Sequence, residues 1–234
     1  MPNQEDGVHI NTNGDVNVGG DIVGRDKITV NIINRYQRHH AEPQPKFLVP
    51  YPRNSNFVGR DDDLRILHAQ LQEAKTAPVR PVMLTGLGGV GKSQLAVEYA
   101  YRFRIDFPGV IYWLNAGQDW LDELAALAEG VGFRSDDAPK DDRCRLLAGA
   151  FADFLKAHPQ ALLIFDNVDD PRLLRTPKPG FSPSELSCRL LFTSRRLAPD
   201  LPFTSIQVQA LSESAALELL LRECLQTILE PQEV

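Results

Sequence analysis

Apolar positions follow three regimes along the chain. In residues 1–34 they alternate with polar ones, as at Val8 and Ile10, Val16 and Val18, and Ile28, Val30 and Ile32. A period of two is that of a strand, and the Gly and Asn-Gly punctuation between the runs marks tight turns. The stretch contains a loose repeat, GDVNVG, GDIVG, RDKITVNI, from Gly14 to Ile32. It predicts a small hairpin stack or one or two turns of a β-solenoid, too short to bury a core alone. Such a piece packs on the rest of the chain, on a copy of itself or on a partner; the other reading is a partly ordered polar tail. Residues 35–55 hold four prolines in a polar run, the composition of an extended linker.

From 56 to 229 the pattern changes to alternating strand-like and helix-like segments. Leu64, Leu67, Leu71 and Ala74 lie at helical spacing and predict a helix over 61–75. Further helices are expected over 92–103, 121–130, 142–157 and 212–229, the last with Ser212 as N-cap. Short, nearly continuous apolar runs at 81–85, 110–114, 161–165, 189–193 and 205–208 predict five strands. Strands apolar on both faces, alternating with helices, imply a mostly parallel sheet covered on both sides, a three-layer α/β sandwich. Residues 230–234 read as a tail.

Composition narrows this little. The chain has 234 residues, 43% hydrophobic and 24% charged, which excludes a wholly disordered, collagen-like or coiled-coil protein. A net charge of −6 argues against a nucleic-acid surface. Cys144, Cys188 and Cys224 are odd in number and widely spaced, so neither a disulfide framework nor a CxxC metal site is expected, and a reducing, cytoplasmic compartment is. The five histidines have no matching Cys or acidic cluster. No apolar run approaches the length of about 18 residues that spans a membrane, and the N-terminus has neither the basic start nor the apolar stretch of a secretory signal.

Chemistry enters at Gly86-Leu87-Gly88-Gly89-Val90-Gly91-Lys92-Ser93, which matches GxxxxGK[ST]. Backbone N–H groups of such a loop curl round phosphates, so glycine is needed where side chains would collide. Lys92 supplies charge to the β and γ phosphates, Ser93 reaches Mg²⁺, and the following helix points its positive end at the anion. The match falls between an apolar strand and an amphipathic helix, the context it requires. The run Leu162 to Phe165 ends in Asp166-Asn167-Val168-Asp169-Asp170. A strand ending in Asp beside the loop completes a Mg²⁺ shell, and Asp166 is the choice for it. Asn167 follows where an acid could act as base toward water, and an amide cannot accept that proton. Asp169 or Asp170 could substitute, or could cap the next helix. Phe192-Thr193-Ser194-Arg195 puts Arg195 at a strand's carboxyl end, in the crevice where ligands bind. There it could sense the γ-phosphate, or it could form a surface ion pair. Phe57-Val58-Gly59-Arg60 could cover an adenine ring. Trp113 and Trp120 are expected to serve packing.

These pieces, in this order, resemble the NB-ARC branch of the STAND signal-transduction ATPases. The matching stretches are FVGRDDDLRIL (57–67), VMLTGLGGVGKSQLA (82–96), FPGVIYWLNA (107–116), LLIFDNVDD (162–170), CRLLFTSR (188–195) and VQALSESAALELL (208–220). The resemblance implies a P-loop NTPase sheet in which the sensor strand lies between the two phosphate-site strands. It implies a switch: ADP holds a closed monomer, and exchange for ATP opens the chain to homo-oligomers through the nucleotide-binding domain; the exposed strand edges of the N-terminal β segment add self-association or effector docking. By the resemblance, Val58, Gly59 and Arg60 lie near adenine and ribose. Gly86, Gly88, Gly89, Gly91, Lys92 and Ser93 hold phosphate; Ser93 and Asp166 hold Mg²⁺. Lys92, Asp166 and Arg195 carry whatever catalysis there is. The segment GDVNVGGDIVGRDKI looks like segments found ahead of such modules in bacterial proteins.

The chain departs from the family in three ways. The acid pair reads Asp166-Asn167, Asp61-Asp62-Asp63 replaces the usual Glu after the GR box, and Val234 precedes the GLPLA-type motif and winged helix. Weak nucleotide binding and absent autoinhibition are the expectations that follow. Two functions from different classes compete: an ATP-binding, slowly hydrolysing signalling switch, whole or as a fragment of a larger regulator or defence protein, and a nucleotide-holding assembly module without turnover. A DNA-linked regulator ranks lower, because there is no helix-turn-helix pattern or basic stripe. A small-molecule kinase lacks a visible second substrate site or lid.

Overall fold

The predicted strands are apolar on both faces, and the sheet they form is covered on both sides. The computed structural model describes residues 46–73, 80–108, 110–117, 120–135, 139–168, 170, 186–197 and 199–229. The β-repeat expected at 1–34, the first part of the linker, Asp169 and the tail at 230–234 lie outside the described residues.

The elements are β1 (Phe47–Leu48), α1 (Asp61–Glu73), β2 (Val82–Thr85), α2 (Lys92–Arg102), a 3-10 turn (Arg104–Asp106), β3 (Ile111–Asn115), α3 (Trp120–Val131), α4 (Lys140–Ala157), β4 (Leu162–Asp166), β5 (Arg189–Ser194), β6 (Thr204–Gln207) and α5 (Glu213–Leu229). The sheet order is β1-β3-β4-β5-β2-β6, and every pairing is parallel. Successive strand residues point to opposite faces, so the central strands feed two cores. Val82, Leu84, Trp113, Ile164 and Leu191 pack on one face with Leu64, Leu67 and Leu71 of α1 and Leu95 and Tyr99 of α2. Met83, Tyr112, Leu163, Phe165 and Phe192 pack on the other with Trp120 and Leu124 of α3 and Phe151 and Leu155 of α4. Trp113 and Trp120 are core residues, as expected. The strand β5 lies between β4 and β2, the inserted order that the resemblance implied.

Among the described residues the sheet has six strands, one more than the periodicity predicts. The extra one, β1, comes from the proline-rich stretch, whose two-residue strand is too short to leave an alternating pattern. Phe47 and Leu48 pair with Ile111 and Tyr112, and residues 46–55 are fastened to the domain at several points. Lys46 Nζ donates to the Gly130 carbonyl at 2.8 Å, and Tyr101 Oη donates to the Tyr51 carbonyl at 2.9 Å. Arg53 donates to both oxygens of Glu98, at 3.0 and 2.8 Å. Glu98 is buried in α2 and also accepts from Arg102; its bond raises the pKa of Arg53, while Arg102 is raised first by its bond to Asp61 and then by Glu98.

At the opposite end, Ser212 Oγ accepts the Ala215 N–H at 3.2 Å, so α5 has the predicted cap. Its first turn sits on the GR box. Gly59 has φ +70°, and a Cβ there would lie 2.4 Å from Ala215 Cβ. Gly59→Ala is therefore expected to lose about 1–3 kcal/mol of stability through strain and displacement of α5; urea unfolding measures it, and an unchanged midpoint would contradict it.

Candidate functional site

Because all strands run parallel, their carboxyl ends share one edge of the sheet, and the loops leaving β2, β4 and β5 meet there. The loop after β2 turns sharply at Gly86, where φ is +146° and a Cβ would lie 2.6 Å from the Val208 carbonyl oxygen. Only glycine lets the loop leave β2 this close to the chain that follows β6. Lys92, on the first turn of α2, folds its side chain back under the loop. Its Nζ donates to the carbonyls of Gly86 at 2.9 Å and Leu87 at 2.7 Å. Burial, and then the charge of Arg195, hold the Lys92 ammonium below its ordinary pKa, with Asp166 acting in the opposite direction. A cation in this position is stabilised by an arriving anion.

The next residue, Ser93, donates through Oγ to Asp166 Oδ1 at 2.7 Å. The same carboxylate oxygen accepts from Thr193 Oγ1 at 2.5 Å. Asn167, next in the chain, has φ 62°, a conformation asparagine tolerates better than most residues. Its N–H donates to Thr193 Oγ1 at 2.9 Å, and the Val168 N–H donates to the Thr193 carbonyl at 2.8 Å. The end of β4 is thus laced to the end of β5.

A cleft of about 270 Å³ opens over these groups. It gathers Gly88, Gly89, Gly91, Lys92, Ser93 and Arg195 from the predicted set, and Asp166 lies behind Ser93 through their hydrogen bond. Arg195 is exposed and forms no ion pair among the described residues, so its charge faces the cleft. The structure adds Gln94, Asn167, Thr193 and Ser194 to the lining. Of these, only Asn167 was singled out in the sequence. Thr193 and Ser194 were visible as polar residues ending an apolar strand, a signal too common to select them.

The GR box behaves differently. Val58 is half-buried and Gly59 contacts α5. The Arg60 side chain is buried and committed to protein partners: Nη1 pairs with Asp63 at 3.0 Å, and Nη2 donates to the Val90 carbonyl in the phosphate loop at 2.9 Å. Arg60 thus braces the loop from outside. The cysteines play no comparable part; burial pushes the Cys188 thiol up to about 12. Among the described residues, no cluster of three or more His, Cys, Asp or Glu side chains could hold a metal alone, and no helix is long and apolar enough to cross a membrane.

The sequence profile of the NB-ARC domain matches residues 60–229. The chain belongs to the NB-ARC family. That match takes in the glycine-rich loop after β2, the acid-ended β4 and the arginine after β5. A nucleotide-binding leucine-rich repeat (NLR)-like protein of Hyaloscypha variabilis is 42% identical over 72 residues, which cover 30% of this chain and 7% of that protein. Human apoptotic protease-activating factor 1 is 26% identical over 156 residues, 59% of this chain and 11% of that protein. The chain therefore spans only a small part of these relatives. Among solved structures, a DNA replication initiation factor superposes over 80% of this chain and 58% of its own, with a TM-score of 0.49 and 14% identity.

Proposed function

We propose that this NB-ARC domain binds ATP and ADP with Mg²⁺ and acts as a switch whose nucleotide state sets its conformation and its assembly with further copies, with slow hydrolysis at most. One observation carries the reading: Lys92, Ser93 and Arg195 converge on a single cleft backed by Asp166. These are the charges and oxygen donors that a triphosphate and its cation require.

The residues fit Mg²⁺. The ion takes one or two protein oxygens and completes its octahedron with phosphate and water, and the Ser93 hydroxyl and Asp166 carboxylate stand 2.7 Å apart as such a pair. When bound, it would neutralise phosphate charge. Around it, Lys92 would hold the phosphates, the loop's N–H groups would cradle them, and Arg195 would reach the terminal phosphate from β5. Arg60 would keep the loop in place through Val90. The cysteine spacing supports a cytoplasmic setting.

A second reading, a nucleotide-holding assembly module without turnover, is favoured by Asn167. An amide in the cleft has no site for the proton of an attacking water. Radiolabelled ATP turnover separates the two. The switch reading expects a rate below about 0.01 per second that falls further in Lys92→Ala. Equal turnover in both proteins would remove hydrolysis and leave the holding module.

A further inference from the structure

Thr193 is 1% exposed, at the end of the strand inserted between β4 and β2. Its hydroxyl works in two directions. Oγ1 accepts the Asn167 N–H at 2.9 Å and stands 2.5 Å from Asp166 Oδ1. A hydroxyl has one proton, and an amide N–H can only donate, so that proton goes to Asp166. Ser93 Oγ donates to the same oxygen from the other side at 2.7 Å. Two hydroxyls on different elements therefore fix how the carboxylate is turned, and among the described residues Oδ2 accepts no hydrogen bond.

We propose that Thr193 is a positioning residue for the metal: it holds the Asp166 carboxylate in the orientation in which it and Ser93 together receive Mg²⁺. It acts through Asp166, to which its hydroxyl donates. The bond to the Asn167 N–H makes the arrangement rigid, because it anchors the hydroxyl to the backbone next to the acid it orients. Without the hydroxyl, the Asp166 carboxylate is held by Ser93 alone, and the ion must order it on binding. Losing an outer-shell partner of a metal ligand lowers metal affinity about 10- to 100-fold. The inference rests on the nucleotide-binding reading above.

The test measures binding of a fluorescent ATP analogue to the whole chain, first in EDTA and then during a MgCl₂ titration, for wild type, Thr193→Val and Thr193→Ser. Thr193→Val is expected to need about tenfold more Mg²⁺ for half-saturation, a larger loss than any it shows in EDTA. Thr193→Ser, which keeps the hydroxyl, is expected to restore the wild-type titration. An unchanged Mg²⁺ midpoint in Thr193→Val overturns the proposal. So does equal weakening in EDTA and in Mg²⁺, which marks a merely structural residue. If Thr193→Val gives no folded protein, Thr193→Ala is read in the same titration. If wild type binds no analogue in either arm, the nucleotide reading falls as well, so the two failures are distinct.

Discussion

Replacing Lys92 with alanine is expected to weaken ATP and ADP binding at least about a hundredfold while the unliganded domain stays folded. The ammonium is buried beneath the loop, where its bonds to the Gly86 and Leu87 carbonyls only partly replace water. Its lowered pKa has burial as the leading cause and the Arg195 charge as the second. Phosphate oxygens relieve both, so most of the value of this lysine appears only in the complex. Two charge-assisted hydrogen bonds at about 1.5–3 kcal/mol each cover the predicted loss. In the free protein, deletion trades two hydrogen bonds for relief of an uncomfortable charge, and the melting temperature is expected to move by less than about 3 °C. Calorimetric titration and a thermal melt on the same samples check both halves. Retained affinity, or a collapsed melt, would contradict the assignment.

Asn167→Asp is expected to raise ATP turnover about 10- to 100-fold, at or below the lower bound of what a positioned general base contributes. The side chain is exposed and lines the cleft beside Ser93 and Arg195. Aspartate tolerates the φ of 62° about as well as asparagine does, and the Asn167 N–H bond to Thr193 is a backbone bond that the change leaves in place. The substitution therefore adds a proton acceptor with little cost in structure. The new charge also repels phosphate, so ATP is expected to bind a few-fold more weakly. Single-turnover and steady-state assays with Asn167→Ala as control measure this. Turnover no faster than wild type would show that the missing acid is not what limits hydrolysis.

The sheet was legible because its strands are short apolar runs bounded by glycine, proline and acids, and a parallel sheet buried on both faces leaves that mark in sequence. The observed strand bounds differ from the expected ones by a residue or so. The edge strand β1 was not legible: two residues show no period, and what fastens them is distant, namely Gly130, Tyr101 and Glu98. The same distinction holds in the site. Gly86 to Ser93 is a local motif, and its spacing announces its chemistry. Thr193 and the brace from Arg60 to Val90 exist only because separate strands and loops meet, and no spacing encodes them. The GR box and the ALSESAA segment stand more than a hundred residues apart, and their contact through Gly59 and Ala215 emerges only in three dimensions.

The most direct test of the central claim is isothermal titration of the purified wild-type chain with ADP and with ATP in the presence of Mg²⁺. The expected result is saturable binding of one nucleotide per chain, competition between ADP and ATP, and tighter ATP binding with Mg²⁺ than in EDTA. Absence of binding at millimolar nucleotide, by wild-type chain shown to be folded, would contradict it.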